Sequence, residues 1–493
     1  MSYIVSKKIK GKDYLYSVKN VRIGSKWKKI TKYLGSAEGW SQPKRQERVY
    51  YGSFTKLASE NFKISGLKVN KRLIDSICLI KIAASKVNSG LGLLDEEIAD
   101  AIKIAAREII EGKFEDQFIL DVFQAGAGTP INMNVNEVIA NRAKEIAKKD
   151  VYPNDHVNMS QSSNDVIPTA IRIASLSMAK DLVRNLEDIQ KSFHKKSIEF
   201  EKILKVGRTH MQDAVPITLG KEFGAYKTTI KRAINRLEDV SERLRELGIG
   251  GTATGTAINT HPKYRELVVK NLRRLTKEKL YATESTIHLS QSLDTFVELS
   301  GVLRLLSIEM IKICNDLILL SSGPKAGIGE IKLPEVEPGS SIIPGKVNPS
   351  VVEAMKMTCL QVLGNYETVS IAAKEGQLEL NIYTPVVAHN LFFALEILTN
   401  STKMFKEKCI DGIEADKKKI KELFENSLVT STAISRYLGY DLTAKLVKEA
   451  ITKNKKVTQL ILEKKILSKK DLDLILSIEN LTGPSVKKNY SKK

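Results

Sequence analysis

Residues 293–320 read LDTFVELSGVLRLLSIEMIKICNDLILL, a helix-period segment that is apolar on nearly every side. Such a helix has to be covered on several sides, by its own chain or by another copy of it. Charges at Glu298, Arg304, Glu309, Lys312 and Asp316 interrupt the run. It therefore reads as a core helix, and no stretch reaches the roughly 18 uncharged apolar residues that a membrane span needs. Residues 170–204 and 221–247 form two more long amphipathic segments, and shorter helices are expected around residues 74–82 and 98–109. The expected fold class is mainly α, a long-helix bundle that assembles as an oligomer. At 493 residues the chain has room for about two to four domains.

The first 48 residues differ in period. They alternate apolar and polar positions between turn signals at Gly11-Lys12-Asp13 and Gly24-Ser25, which predicts three short antiparallel strands, a small β-meander. A linker, SAEGWSQPKRQ, follows. This appendage carries 13 Lys and Arg against 3 Asp and Glu, a net +10 of the chain's formal +21. A nucleic-acid partner is therefore a candidate for residues 1–48 alone, and a solvated charged sheet is the plainer reading. The boundaries expected are 1–48 for the appendage and linker, 49–180 for an N-terminal domain, 181–409 for the long helices and 410–493 for a small helical domain. Ser468 is a predicted N-cap in that last part, with Asp471 in the acidic place of a capping box.

The four cysteines, Cys78, Cys314, Cys359 and Cys409, are far apart and have no histidine at ligand spacing. They read as reduced, buried thiols, with no metal site. The opening MSYIVSKKIKGKDYLY lacks the apolar core of a secretory leader, so a cytoplasmic location is expected.

Between the helices lie polar loops with one vocabulary: QAGAGTPINMNVNE, PNDHVNMSQSSNDVIPTA, GRTHMQDAVP, GIGGTATGTAIN and GSSIIPGKVNPS. Short hydroxyls and amides, backbone N–H groups near glycine, and one lysine are the parts of an anion site. With no Walker loop and no dinucleotide glycine fingerprint, a small dicarboxylate suits them better than a nucleotide. Singly, each loop has a duller meaning. GAGT is commonly a turn, SSND a helix N-cap, the His after Thr structural and the Lys of PGKVNP solvated.

Together SQSSND, GRTHMQDA, GGTATGT and GSSIIPGKVNP resemble the signature regions of the fumarase/aspartase superfamily, the last matching its diagnostic G-S-S-x-x-P-x-K-x-N-P loop. The likeness runs from about residue 50 to 484 and leaves out residues 1–48. It implies a mainly helical homotetramer with a central long-helix bundle, active sites shared between three subunits, no cofactor and no metal. The reaction implied is elimination beside a carboxylate, through an aci-carboxylate intermediate held by many fixed donors. By motif position the donors are Thr129, Ser162, Ser163, Asn164, Thr209, Ser341, Lys346 and Asn348. Ser340 is the implied base, activated as an alkoxide within a closing loop, and His210 with Glu353 is the implied His–Glu pair.

Two activities compete for the substrate. Ser163, the segment EPGSSI and Glu353 resemble class II fumarate hydratases, which act on L-malate. Tyr50-Tyr51-Gly52, Ala127, ICNDLILLSSGPKAG, EGQLELN and the C-terminal segment resemble aspartate ammonia-lyases. The hydratase second-site motif His-Pro-Asn-Asp stands here as Tyr152-Pro153-Asn154-Asp155. The extent of likeness favours L-aspartate as substrate, with fumarate as product. Argininosuccinate and adenylosuccinate lyases fit less well, since these donors suit an unadorned dicarboxylate. A reading of another class is a nucleic-acid-binding protein that keeps an inactive lyase body.

Overall fold

The computed structural model describes residues 2–10, 12–23, 26–36 and 48–484, and the chain divides into two compact units, Met1–Tyr50 and the remainder from Tyr51. In the first unit β1 (Ser2–Ile9), β2 (Lys12–Ile23) and β3 (Lys26–Ser36) form an antiparallel meander with β2 central. Val5 faces Tyr16 and Val18 faces Thr31 across the ladders. The strands are 8, 12 and 11 residues long, not the short ones expected. The apolar–polar alternation carries on between the turn residues, so the pattern itself sets no earlier stop for the strands. The expected linker lies, after Ser36, outside the described residues.

The second unit opens with α1 (Ser53–Asn61), α2 (Lys71–Gly90), α3 (Glu96–Ile110) and α4 (Thr129–Ala147). The predicted helices at residues 74–82 and 98–109 lie inside α2 and α3. The three carbons of Glu137 end in a carboxylate that accepts the N–H groups of Gly52, Phe54 and Thr55, holding the start of α1.

Next comes α5 (Ser163–Glu199), 37 residues long, which runs unbroken across residue 180. The hairpin of β4 (Leu204–Thr209) and β5 (Gln212–Thr218) follows, then α6 (Leu219–Leu244), α7 (Tyr264–Thr276), α8 (Thr286–Gln291) and α9 (Asp294–Leu320). Helices α10 (Ser350–Lys374) and α11 (Thr384–Lys408) complete the bundle. Its five long members pack in the ring order α5, α6, α9, α10, α11 and back to α5.

In α9 the residues Phe296, Leu299, Leu303, Leu306, Met310, Ile313 and Leu317 are buried. They recur three and four apart in strict alternation, the spacing of a heptad seam. The chain itself covers only part of the bundle's apolar surface. On the neighbouring α10, Met357 is 63% exposed and Leu360 57%, and Ile308 of α9 is exposed as well.

Between Lys417 and Thr482 six short helices enclose a core of their own, with Ile434, Leu446, Leu460, Ile461 and Ile475 buried in it. Ser468 caps one of them by accepting the Asp471 N–H at 3.1 Å, while the Asp471 carboxylate takes the Ser468 hydroxyl. All four cysteines are buried and free. Among the described residues no helix is long and apolar enough to cross a membrane.

Candidate active site

At the N-terminal end of α5 the SSND segment forms the helix cap that its duller reading gives. Ser162 is the N-cap, and Asp165 closes a capping box by accepting the Ser162 N–H at 2.9 Å. The other carboxylate oxygen of Asp165 accepts the N–H groups of Gly250 at 3.0 Å and Thr252 at 2.9 Å. One buried side chain thereby ties the SSND loop to the GGTATGT loop. Asn164 adds a second tie, its amide donating to the Ala253 carbonyl at 2.8 Å. Gly250 at φ 89° and Thr252 at φ 58° are left-handed, which turns their N–H groups toward Asp165. Burial pushes the Asp165 carboxyl up to about 6, against the three N–H bonds and Lys81 that favour its charge. Pro168, in the second turn, has no N–H to give the carbonyl of Asn164.

Behind this loop is a buried network that the sequence reading missed. Lys81, on α2, is fully buried and donates to Asn158 Oδ1 and Gln161 Oε1, both at 2.9 Å. Asn132, on α4, donates to Asn158 Oδ1 and to Ser163 Oγ, both at 3.1 Å. Burial draws the Lys81 ammonium down to about 7. A signal was present: Lys81 is a lone cation in the apolar run ICLIKIAA. Thr129 begins α4 directly after Ala127 at φ 58° and Gly128 at φ 69°, two left-handed residues that break GAGT from the helix. The Ala127 N–H donates to the Ile382 carbonyl at 2.7 Å, so this turn rests against the start of α11.

The remaining predicted residues collect elsewhere. Thr209 and His210 sit at the tip of the β4–β5 hairpin, both exposed, with His210 and Met211 in the left-handed region at φ 54° and 61°. Strand β4 is held near both its ends by Glu330, which is fully buried and pairs with Arg208 at 2.9 Å and Lys205 at 3.0 Å. Ser340 Oγ accepts the N–H groups of Ile342 at 3.1 Å and Ile343 at 3.0 Å. Asn348 donates to the Gly339 carbonyl at 2.7 Å, closing the loop on itself. Ser341 and Lys346 are exposed, and Glu353 lies in the first turn of α10, also exposed. The expected His210–Glu353 contact does not form within one chain: among the described residues no hydrogen bond or ion pair joins them. They belong to a hairpin tip and a helix start that the chain anchors separately.

These two groups of residues lie at opposite ends of α5. Helices α5 and α11 run parallel, since Asn185 bonds the Thr399 carbonyl and Lys196 the Ile413 carbonyl. Asn348, Pro349 and Ser350 share a cleft with Lys408 and Cys409, at the C-terminal end of α11. The Ser340 loop thus stands near the level of Lys196, about 50 Å along the helix from Ser162 at 1.5 Å per residue. Thr209, His210, Ser340, Ser341, Lys346, Asn348 and Glu353 share one end; Thr129, Ser162, Ser163 and Asn164 share the other.

Residues 43–364 match the family described as Lyase, and residues 431–483 the one described as Fumarase C C-terminus. The chain is 44% identical over 444 residues to an aspartate ammonia-lyase of Bacillus subtilis (strain 168), covering 89% of this chain and 94% of the relative. It is 42% identical over 442 residues to fumarate hydratase class II 2 of Bradyrhizobium diazoefficiens, covering 88% and 93%. Among solved structures, the recombinant class II fumarase of Schistosoma mansoni superposes with a TM-score of 0.83 at 34% identity, covering 94% of this chain and 98% of that one. With the signature loops in order, the long-helix bundle that carries them and this extent of likeness, the chain belongs to the fumarase/aspartase superfamily of lyases.

Proposed function

We propose that the protein eliminates ammonia from L-aspartate to give fumarate. The observation that carries the choice of substrate is Tyr152. It stands where the hydratase second-site motif has His, and its own N–H is engaged by His156 Nδ1 at 3.1 Å. A phenol there offers an incoming carboxylate no cation. Relatives that are 42–44% identical and span most of the chain are divided between the two activities, so the proposal rests on this chain's own residues.

In this reading Ser340 Oγ takes a proton from the β-carbon of aspartate. The C–H electron pair moves into the β-carboxylate, forming the aci-carboxylate, then returns as the carbon–carbon double bond while the C–N bond breaks and ammonia leaves. The Ile342 and Ile343 N–H groups on Ser340 Oγ favour its alkoxide form. Lys346 and Asn348 anchor the carboxylate, Ser341 donates beside them, and Thr129, Ser162, Ser163, Asn164 and Thr209 complete the donor set. Since one chain keeps the two groups about 50 Å apart along α5, the working site joins ends from different subunits. The exposed apolar surface of α10 fits such an assembly, a homotetramer by the family's pattern.

Ser163 supports the second reading, fumarate hydratase acting on L-malate, because its hydroxyl stands where aspartases usually have Thr. The test follows fumarate absorbance with L-aspartate and L-malate in separate cuvettes and assays ammonia in the first. Fumarate with ammonia from aspartate alone supports the proposal. Fumarate from malate alone overturns it in favour of the hydratase, and silence in both rejects each.

A further inference from the structure

The lyase reading leaves the N-terminal unit without a task. The family match begins at residue 43, and relatives that are covered over 93–94% of their own length leave about a tenth of this chain unmatched. The meander is thus an addition to a body already as long as its relatives.

Its chemistry is specific. Tyr33 of β3 packs its ring 5.5 Å from Tyr16 and 6.1 Å from Tyr14, both on β2, and Lys7 of β1 lies 5.3 Å over the Tyr16 ring. Three tyrosines and a lysine therefore share one face. Tyr33 remains 54% exposed despite these contacts. Every residue from Lys28 to Leu34 on the edge strand β3 is exposed, including Lys28, Lys29 and Lys32. Lysines on an edge are commonly a guard against strand-to-strand aggregation. That role does not account for Ile30, Tyr33 and Leu34, exposed on the same strand, since apolar side chains there work against it.

We propose that the N-terminal meander is a binding platform for single-stranded nucleic acid, with Tyr33 stacking on bases and the lysines of the same face, Lys7 of β1 and Lys29 of β3, tracking the phosphates. Exposed aromatic rings are a surface on which any base can stack, and a cationic border holds the backbone without reading sequence. A duplex keeps its bases stacked inside and offers such rings nothing, so a single strand is the better fit. The elimination chemistry needs none of these residues, and the two activities can be measured separately on one preparation.

The test uses the full-length chain and fluorescence anisotropy with a labelled 20-nucleotide single strand, as RNA and as DNA, in salt from 50 to 200 mM. Binding in the micromolar range at the lowest salt is expected, weakening steeply as salt rises. Replacing Lys7 and Lys29 together by Gln lowers the slope of log affinity against log salt by about 1.4, at roughly 0.7 per phosphate contact on a single strand. Tyr33→Ala weakens binding about tenfold with the slope kept. Fumarate production is unchanged in both variants. Either form of strand, RNA or DNA, supports the platform if both variants behave so. No binding at 50 mM salt overturns it. So does binding that survives deletion of residues 1–48, preference for the duplex of the same sequence, or capture by anionic phospholipid vesicles without capture of the oligonucleotide. Should Tyr33→Ala disturb the sheet, the lysine variant, altered only at exposed positions, still decides.

Discussion

The Asn348 amide donates to the Gly339 carbonyl at 2.7 Å, so the two ends of the GSSIIPGKVNPS loop are fastened to each other before any substrate arrives. A methyl group at Gly339 would overlap the Lys346 carbonyl, a backbone atom that cannot swing aside. The glycine is there for close approach, and its φ is not in the left-handed region. We expect Gly339→Ala to displace Ser340 and lower kcat/KM about a hundredfold, the scale of a misplaced reacting group. The loop is exposed and carries little core, so the thermal midpoint should move by less than ~2 °C. Kinetics and a melting curve on the same sample check both halves.

Ser340 holds its hydroxyl oxygen under two N–H groups, those of Ile342 and Ile343. Removing that oxygen leaves the two donors to water, at a site open enough for water to reach them. Ser340→Ala should then lower turnover by about a thousandfold, as loss of a general base does, while fumarate still binds in calorimetry. Loss of binding together with turnover would make the loop a scaffold and move the base elsewhere.

Lys205 and Glu330 lie 3.0 Å apart with Glu330 fully buried and Lys205 nearly so, and Arg208 takes the other carboxylate oxygen at 2.9 Å. Both cations are on β4, so Glu330 clamps the hairpin that presents Thr209 and His210. Glu330→Gln leaves Lys205 with Glu222 alone, at 3.2 Å, and Arg208 without its carboxylate, and a loss of about 3 kcal/mol, the lower end for a broken buried pair, is expected. Urea unfolding measures it, and a change below ~1 kcal/mol would mean that water already screens the cluster.

The helical body was legible because its signals are local and repeated. The long helix at residues 293–320, the SSND cap and the Ser468 cap can each be read locally, although the seam within α9 shows only in its packing. The loops were legible as a shared chemistry. Their placement was not, since nothing in GSSIIPGKVNP says that its base lies beside Lys408 and not beside Ser162. That depends on α5 and α11 running parallel, a long-range fact. That His210 and Glu353 stay apart within one chain has the same origin. Spacing does not point to the roles of Lys81 and Asn132, whose partners Asn158, Gln161 and Ser163 are distant in sequence. Asp165 was seen only as a possible cap residue, and its link to the glycine loop 85 residues away follows from packing.

Asp165 makes a pH prediction. Its carboxyl, raised by burial to about 6 from an ordinary value of 3.8, is protonated more in the folded chain than in the unfolded one between those values. Its contribution to stability is therefore fully present below about pH 4 and is lost as pH rises through about 6. An Asp165→Asn variant cannot titrate there. The stability of the parent minus that of the variant should increase as pH falls from 6 to 4, by at most ~1.4 kcal/mol per unit. A flat difference across that range would show that Asp165 is ionised throughout, held so by its N–H bonds to Ser162, Gly250 and Thr252.

The separation of Ser340 from Asn164 along α5 gives the proposed shared site its sharpest test. Ser340→Ala and Asn164→Ala should each be nearly inactive alone, since each spoils one end in every chain. If a working site takes its Ser340 loop from one chain and its Asn164 end from another, random mixing pairs an intact loop with an intact end in about a quarter of sites. Unfolding the two variants together and refolding them should restore that fraction of the parent turnover, and refolding each alone should restore none. Mixed samples as inactive as their parts would mean that both residues serve from the same chain. The Ser340 loop would then have to reach the Asn164 end by a rearrangement far larger than a loop closure.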